Sequence, residues 1–191
     1  MHLIITRHGE TVENVKRIFQ GQTHGVLTKK GIMQAKKLAR RLKNRKIDKI
    51  YSSDLKRSID TANEILKYHP KLKLILNKDL RERFVGNYAG KPFPKGWDWN
   101  NLPKSCETDK SMCIRAKKFL KKINSKNRKD KIVLVVCHNG IIKAFLNVIY
   151  GHPVSYFNQI EDNHNTSVYE FEIVNGKYIP ISSNCVKHLI Q

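Results

Sequence analysis

Two short segments of this chain share one construction, in which an apolar run meets a histidine and then a glycine. They are Ile4-Ile5-Thr6-Arg7-His8-Gly9 and Val135-Val136-Cys137-His138-Asn139-Gly140. A strand that ends this way hands over to a turn or helix whose first backbone N–H groups are free to face an anion. A third segment, Ser52-Ser53-Asp54-Leu55-Lys56-Arg57, makes another strand-to-helix turn and sets Arg57 at the start of the helix. In an open parallel sheet, ligands bind beyond the carboxyl ends of the strands, so both imidazoles and the guanidiniums of Arg7 and Arg57 converge on one crevice. That charge pattern suits a phosphoryl group, whose equatorial oxygens need fixed donors as charge shifts during transfer. Arginine supplies the planar fork that fits it.

Attack on phosphorus requires an unprotonated ring nitrogen, which a histidine with an ordinary pKa of ~6.5 offers near neutrality. His8 is the nucleophile candidate. Gly9 lets backbone approach its ring and accept the other N–H, fixing the tautomer. His138 then serves as a donor to the transferring group, and Asn139 beside it is counted with the phosphate-binding residues. A leaving alkoxide needs a proton, and Glu82, in Leu80-Arg81-Glu82-Arg83-Phe84, is the candidate general acid. The flanking arginines favour its charged form, whereas burial beside a phosphate favours the protonated one.

The elements that must position these groups are legible as alternating strands and helices. Strands are predicted at Leu3–Thr6, Lys49–Ser52, Leu72–Leu76 and Ile132–Cys137. The last is an unbroken apolar run suited to a central strand covered on both faces. Thr28 is placed to cap a helix through Leu42, with Ile32, Ala35, Leu38, Ala39 and Leu42 on one face. Further helices are predicted from about Asp54 to Leu66 behind Ser52-Ser53, near Lys110 to Ile123, and from Gly140 through Ile149. Asn175-Gly176 signals a C-terminal hairpin of Val168–Val174 with Lys177–Ile181, and residues 91–104 read as an irregular loop. The expected fold is α/β: a three-layer αβα sandwich with a mainly parallel central sheet and an antiparallel C-terminal strand, formed by residues 1–191 as a single domain.

Composition bounds the rest. The 191 residues are 40% hydrophobic and 28% charged, with a formal net charge of +21. That field favours acidic partners. It is carried mostly by dispersed lysines on helical faces, and this reads as a solvated surface rather than a nucleic-acid site. No stretch of ~20 apolar residues and no leader-like start is present, so a cytoplasmic protein without membrane contact is expected. Cys106, Cys113, Cys137 and Cys185 include no Cys-x-x-Cys pair and are expected to be reduced thiols. His2, His24, His69, His152, His164 and His188 have no organised spacing. Asp162-Asn163-His164-Asn165 reads as a loop rather than a metal site, and Cys137 as buried strand.

The motifs taken together resemble the histidine phosphatase superfamily, in its phosphoglycerate mutase-like branch. Arg7-His8-Gly9-Glu10-Thr11 is followed by Asn14, Arg17, Gln20-Gly21, Leu27-Thr28-Lys29-Lys30-Gly31 and Gln34-Ala35. Tyr51 to Ser58 with Thr61-Ala62, the Glu82–Gly90 segment and Cys137-His138-Asn139-Gly140 continue the match in family order. The resemblance implies a phosphohistidine on His8, a phosphoryl held by Arg7, Arg57 and His138, and Glu82 as proton donor and then base for water. It also implies that Asn14 touches phosphate, that Gln20 and Gly21 touch substrate, and that no metal or organic cofactor is needed. Glu13, Thr23-His24-Gly25-Val26 and Ser105-Cys106-Glu107-Thr108 depart from the family pattern around the pocket mouth, and Val85 stands where the mutases carry tyrosine. The chain after Gly90 lacks the long insertion by which those mutases enclose an intermediate, so water reaches the phosphoenzyme and hydrolysis is favoured over transfer.

The expected activity is therefore a metal-independent phosphatase acting on a small phosphorylated metabolite and releasing inorganic phosphate. A phosphoglycerate mutase-type phosphotransferase is the alternative, and a non-catalytic basic protein binding nucleic acid the remote one. No specific nucleic-acid partner is expected, and the sequence fixes neither the metabolite nor the oligomeric state.

Overall fold

The computed structural model describes residues 1–126 and 131–190. Strands β1 (His2–Arg7), β2 (Lys49–Ser52), β3 (Leu74–Leu76) and β4 (Ile132–Cys137) run parallel, and the hairpin of β5 (Val168–Val174) and β6 (Lys177–Cys185) is added antiparallel to β1. The order across the sheet is β3-β2-β4-β1-β5-β6. This is the mainly parallel α/β sheet expected, with β4 between β1 and β2. The C-terminal hairpin turns on Asn175 and Gly176 at φ 48° and 77°, the paired left-handed conformations that an Asn-Gly turn adopts readily.

The unbroken apolar run of β4 follows from its two covered faces. Val133, Val135 and Cys137 enter one core with Phe119 and Phe145, whereas Leu134 and Val136 enter the other with Leu38 and Ile65. Helices α4 (Asp109–Lys126) and α5 (Asn139–Tyr150) cover the first face, and α2 (Lys29–Leu42) and α3 (Lys56–Leu66) cover the second. A short α1 (Val12–Val15) and a terminal α6 (Lys187–Ile190) complete the α-helices among the described residues.

Two local differences from expectation bear on the site. In α2, Thr28 caps through its hydroxyl as predicted, but Gly31 lies on the buried face and Ile32 is 40% exposed. A Cβ on Gly31 would stand 2.0 Å from the Glu10 carbonyl, so the start of this helix is drawn against the turn after β1 and its buried seam is rotated accordingly. Helix α3 begins at Lys56, with Leu55 at the N-cap and no side-chain cap, rather than at Asp54. Its buried face is polar at the start, because Ser58 donates to the Val136 carbonyl at 2.8 Å and accepts from Ser52 at 3.0 Å. These bonds pin the helix that carries Arg57 to the ends of β2 and β4.

Candidate active site

The parallel registers bring the strand ends level, with Arg7 opposite Cys137 and Ser52 opposite Val136. The His8 N–H extends the ladder by donating to the Cys137 carbonyl at 3.0 Å. His8 and His138 thereby come together, their ring centroids 5.1 Å apart and their planes inclined by 57°. Both are buried, at 2% and 0% exposure.

The tautomer of His8 is set by its neighbours. Nδ1 lies 2.7 Å from the Gly9 carbonyl, which can only accept, so Nδ1 carries the proton. Nε2 is therefore the lone-pair nitrogen, and it accepts from Arg57 Nε at 3.2 Å. Burial, then the charges of Arg57 and Arg7, holds the His8 ring well below the ordinary histidine pKa. His138 is depressed in the same way by burial, Arg57, His8 and Arg7. Both imidazoles are neutral at neutral pH. The glycine after His8 also has a packing role that the sequence did not disclose, since a Cβ there would meet the Gly31 carbonyl at 2.5 Å.

Arg57 is 1% exposed, and its guanidinium is fixed by the chain between α1 and α2. It donates to the carbonyls of Thr23 at 2.5 Å and Gly21 at 2.9 Å. Burial lowers its pKa to about 10, so it keeps its charge at neutrality. Arg7 is lowered by burial as well, against the opposing charges of Glu82 and Asp162. One of its terminal nitrogens donates to the Asn163 carbonyl, while its Nε is buried with no protein partner. Both ring nitrogens of His138 are likewise buried without a protein acceptor or donor. Unmatched buried polar atoms are costly, and the Arg7 Nε–H and the one N–H of the neutral His138 ring are donors that an anion's oxygens satisfy.

Glu82 lies at the start of α5, where its carboxyl accepts from the Gly140 N–H at 3.0 and 3.2 Å and from the Arg83 N–H at 2.8 Å. A Cβ on Gly140 would fall 2.3 Å from Glu82 Oε1, so the glycine of this motif is the space in which the carboxyl sits. The segment around Glu82 is clamped from α4, where Arg115 donates to the Asp79 and Arg81 carbonyls and forms a forked ion pair with Glu107.

The remaining predicted residues reach the same cavity, of about 1160 Å³, with differing freedom. Gln20 is mostly buried, its Oε1 without a partner, and Gly21 contributes the carbonyl that holds Arg57. Asn14 completes a capping box with Thr11 and accepts from Asn165. Asn139 lines the cavity, but its amide is engaged by Asp162 and Asn163.

That loop before β5 is the part of the site which sequence reading passed over. Asn163 holds Arg7, Asn165 donates to the His8 carbonyl at 3.1 Å, and the Thr166 N–H reaches the Arg7 carbonyl at 3.1 Å. Its signal was a run of side chains rich in amides, which marks turns of every kind and names no partner. The four cysteines are free thiols, with Cys137 fully buried in β4 and its pKa pushed up by burial. Among the described residues, no group of three or more His, Cys, Asp or Glu is arranged to hold a metal, and no helix is long and apolar enough to cross a membrane.

The family model of the histidine phosphatase superfamily (branch 1) matches residues 3–185. Phosphoglycerate mutase-like protein 4 of Arabidopsis thaliana is 32% identical over 189 residues, covering 91% of this chain and 80% of its own. The metal-independent phosphoserine phosphatase of the same plant is 31% identical over 157 residues, covering 74% of this chain and 66% of its own. Among solved structures, a mycobacterial glucosyl-3-phosphoglycerate phosphatase in complex with VO3 superposes with a TM-score of 0.88 at 25% identity, over 96% of this chain and 98% of that one.

Proposed function

Starting from the fact that the chain belongs to the histidine phosphatase superfamily, branch 1, and is a phosphoric monoester hydrolase, we propose that it hydrolyses small phosphorylated metabolites through a phosphohistidine on His8, without a metal. The observation that carries this is the convergence of a neutral His8, its Nε2 lone pair free of a proton, with Arg7, Arg57 and His138 in one buried hollow. The whole of residues 1–191 serves as one catalytic domain.

In the first half-reaction Nε2 of His8 attacks phosphorus and the ester P–O bond breaks, its electron pair leaving on the alcohol oxygen. Arg57 Nε–H, which donates to Nε2, turns to a phosphoryl oxygen, and Arg7 and His138 take the others. The Glu82 carboxyl gives its proton to the departing alkoxide, and the resulting carboxylate is stabilised by the N–H groups of Gly140 and Arg83. In the second half-reaction that carboxylate takes a proton from water as the oxygen attacks phosphorus. The P–N bond breaks back onto Nε2, phosphate leaves, and Glu82 is protonated again. The Gly9 carbonyl holds the Nδ1 proton throughout and supports the positive charge that the ring acquires in the phosphoenzyme.

The names of the relatives point to small phosphorylated substrates such as phosphoserine and glucosyl-3-phosphoglycerate. A panel of such esters assayed for phosphate release, in the presence of chelator and with His8→Ala as control, tests the proposal. Release by the parent protein and none by the variant is expected; equal release by both would refute it. Transfer to a second acceptor in place of phosphate release would favour the mutase reading.

A further inference from the structure

Four aromatic residues that line the cavity have no part in the chemistry just described. They are Phe19, Phe93, Trp97 and Trp99, with Lys16, Arg17 and Lys95 among the residues beside them in the lining. Phe19 is 2% exposed and lies beneath Phe93, with ring centroids 3.8 Å apart and planes inclined by 31°. Trp97 meets Phe19 edge-on at 4.7 Å. Phe93 and Trp99 each present 36% of their surface.

These rings are held in place. The Phe93 N–H donates to the Arg17 carbonyl at 3.0 Å and the Phe19 N–H to the Lys91 carbonyl at 2.9 Å, lacing the wall to the segment that follows α1. Trp97 packs on a small core of Phe19, Val85 and Cys106. The Arg83 guanidinium carbon lies 5.6 Å from the Trp99 ring centroid, and Asn158 donates to the Trp99 carbonyl at 3.1 Å from across the cavity. Exposed apolar rings that are fixed from behind, in a concave site with a polar catalytic end, form a recognition surface for a flat apolar group. The cavity of about 1160 Å³ is also far larger than a phosphoryl on a three-carbon acid requires.

Resting on the phosphatase reading of this cavity, we propose that the wall selects phosphomonoesters whose alcohol carries a planar aromatic ring, stacked on Phe93 with its edge towards Trp99, whose plane is inclined by 61° to that of Phe93, while the phosphoryl sits at His8. Phe93 and Trp99 are specificity-determining residues, and small aliphatic phosphates are poorer substrates.

The test compares naphthylethyl phosphate with decalinylethyl phosphate, which is equally apolar but not planar, and with ethyl phosphate. All are esters of primary alcohols, so leaving-group differences stay small. The parent protein is expected to favour the naphthyl ester by about tenfold in kcat/KM over the saturated one, and Trp99→Ala and Phe93→Ala to bring the ratio of the two esters to about one. Both tryptophans of the chain are in the wall, so naphthylethylphosphonate added to His8→Ala should quench the protein's fluorescence, and the decalinyl analogue should not. Equal kcat/KM for the planar and saturated esters, or a preference that survives both substitutions, would overturn the inference and leave the phosphohistidine reading intact. Absence of any His8-dependent hydrolysis of the three esters would overturn both.

Discussion

Substituting Gly140 by alanine displaces the Glu82 carboxyl without removing it. A Cβ built at Gly140 stands 2.3 Å from Glu82 Oε1, whereas ordinary contact begins at about 3.4 Å, so the carboxyl must retreat by about 1 Å. It then loses the Gly140 N–H bonds of 3.0 and 3.2 Å that fix it over the leaving oxygen. A displacement of that size at a proton donor costs about 100-fold in rate. Gly140 is the second residue of α5 and is not in the left-handed region, so alanine adds no backbone strain, and the cost to the fold is the loss of the two bonds to Glu82, about 1–3 kcal/mol. The variant is therefore expected to stay folded and melt a few degrees lower, while kcat/KM for an alkyl phosphate falls about 100-fold. For 4-nitrophenyl phosphate, whose leaving group needs little protonation, the fall should be under tenfold. The assay is phosphate release from both esters beside a thermal melt. Full activity towards the alkyl ester, or equal losses for the two esters, would refute the role of Glu82 as acid.

Three other perturbations act on the same site and its surroundings. Arg57→Lys removes the Nε–H that faces His8 and the fork that Gly21 and Thr23 hold, so kcat/KM should drop by about 100-fold or more, and steady-state assays would show it. Asn163→Ala deletes two bonds to Asn139 and loosens the carbonyl that holds Arg7; a rise in KM and a loss of about 1–3 kcal/mol in denaturant titrations are expected. His8, His138 and His188 all have depressed pKa values in the fold, His188 at about 4 through burial and then Arg41 and Lys37. Below the ordinary histidine value near 6.5 the unfolded chain binds more protons than the folded one, so stability falls as pH drops from 6.5 to 5, by up to ~1.4 kcal/mol per pH unit for each ring. His188→Asn should lower that slope by about one-third, as read from denaturant midpoints across the window.

The parallel sheet and the His8–His138 pairing were legible because β1 and β4 are apolar runs that end in the same way, and the register of parallel neighbours makes their ends level. Arg57 was legible because a strand-to-helix turn precedes it. Its confinement was not, since the carbonyls of Gly21, Thr23 and His24 that hold it belong to an irregular segment whose path no periodicity reports. Asn139 shows the limit from the other side. Its place beside His138 pointed to phosphate, yet its amide is occupied by Asp162 and Asn163, a contact between distant segments that local spacing does not encode. The aromatic wall was visible only as a loop with two tryptophans and several prolines. What makes it a surface is Phe19, some seventy residues earlier in the chain, lying beneath Phe93. Cavity-forming glycines were missed for the same reason, because the partners of Gly31 and Gly140 are Glu10 and Glu82.

The most direct test is the chemical identity of the enzyme-bound intermediate. The protein, mixed with a phosphomonoester and quenched in alkali within a turnover, should carry a single phosphoryl on His8, at Nε2, because the Gly9 carbonyl keeps Nδ1 protonated. Peptide mass spectrometry places the residue and phosphorus NMR the nitrogen. A phosphoryl on His138 or on Nδ1 of His8, or turnover with no phosphoprotein while water attacks the ester directly, would contradict the account.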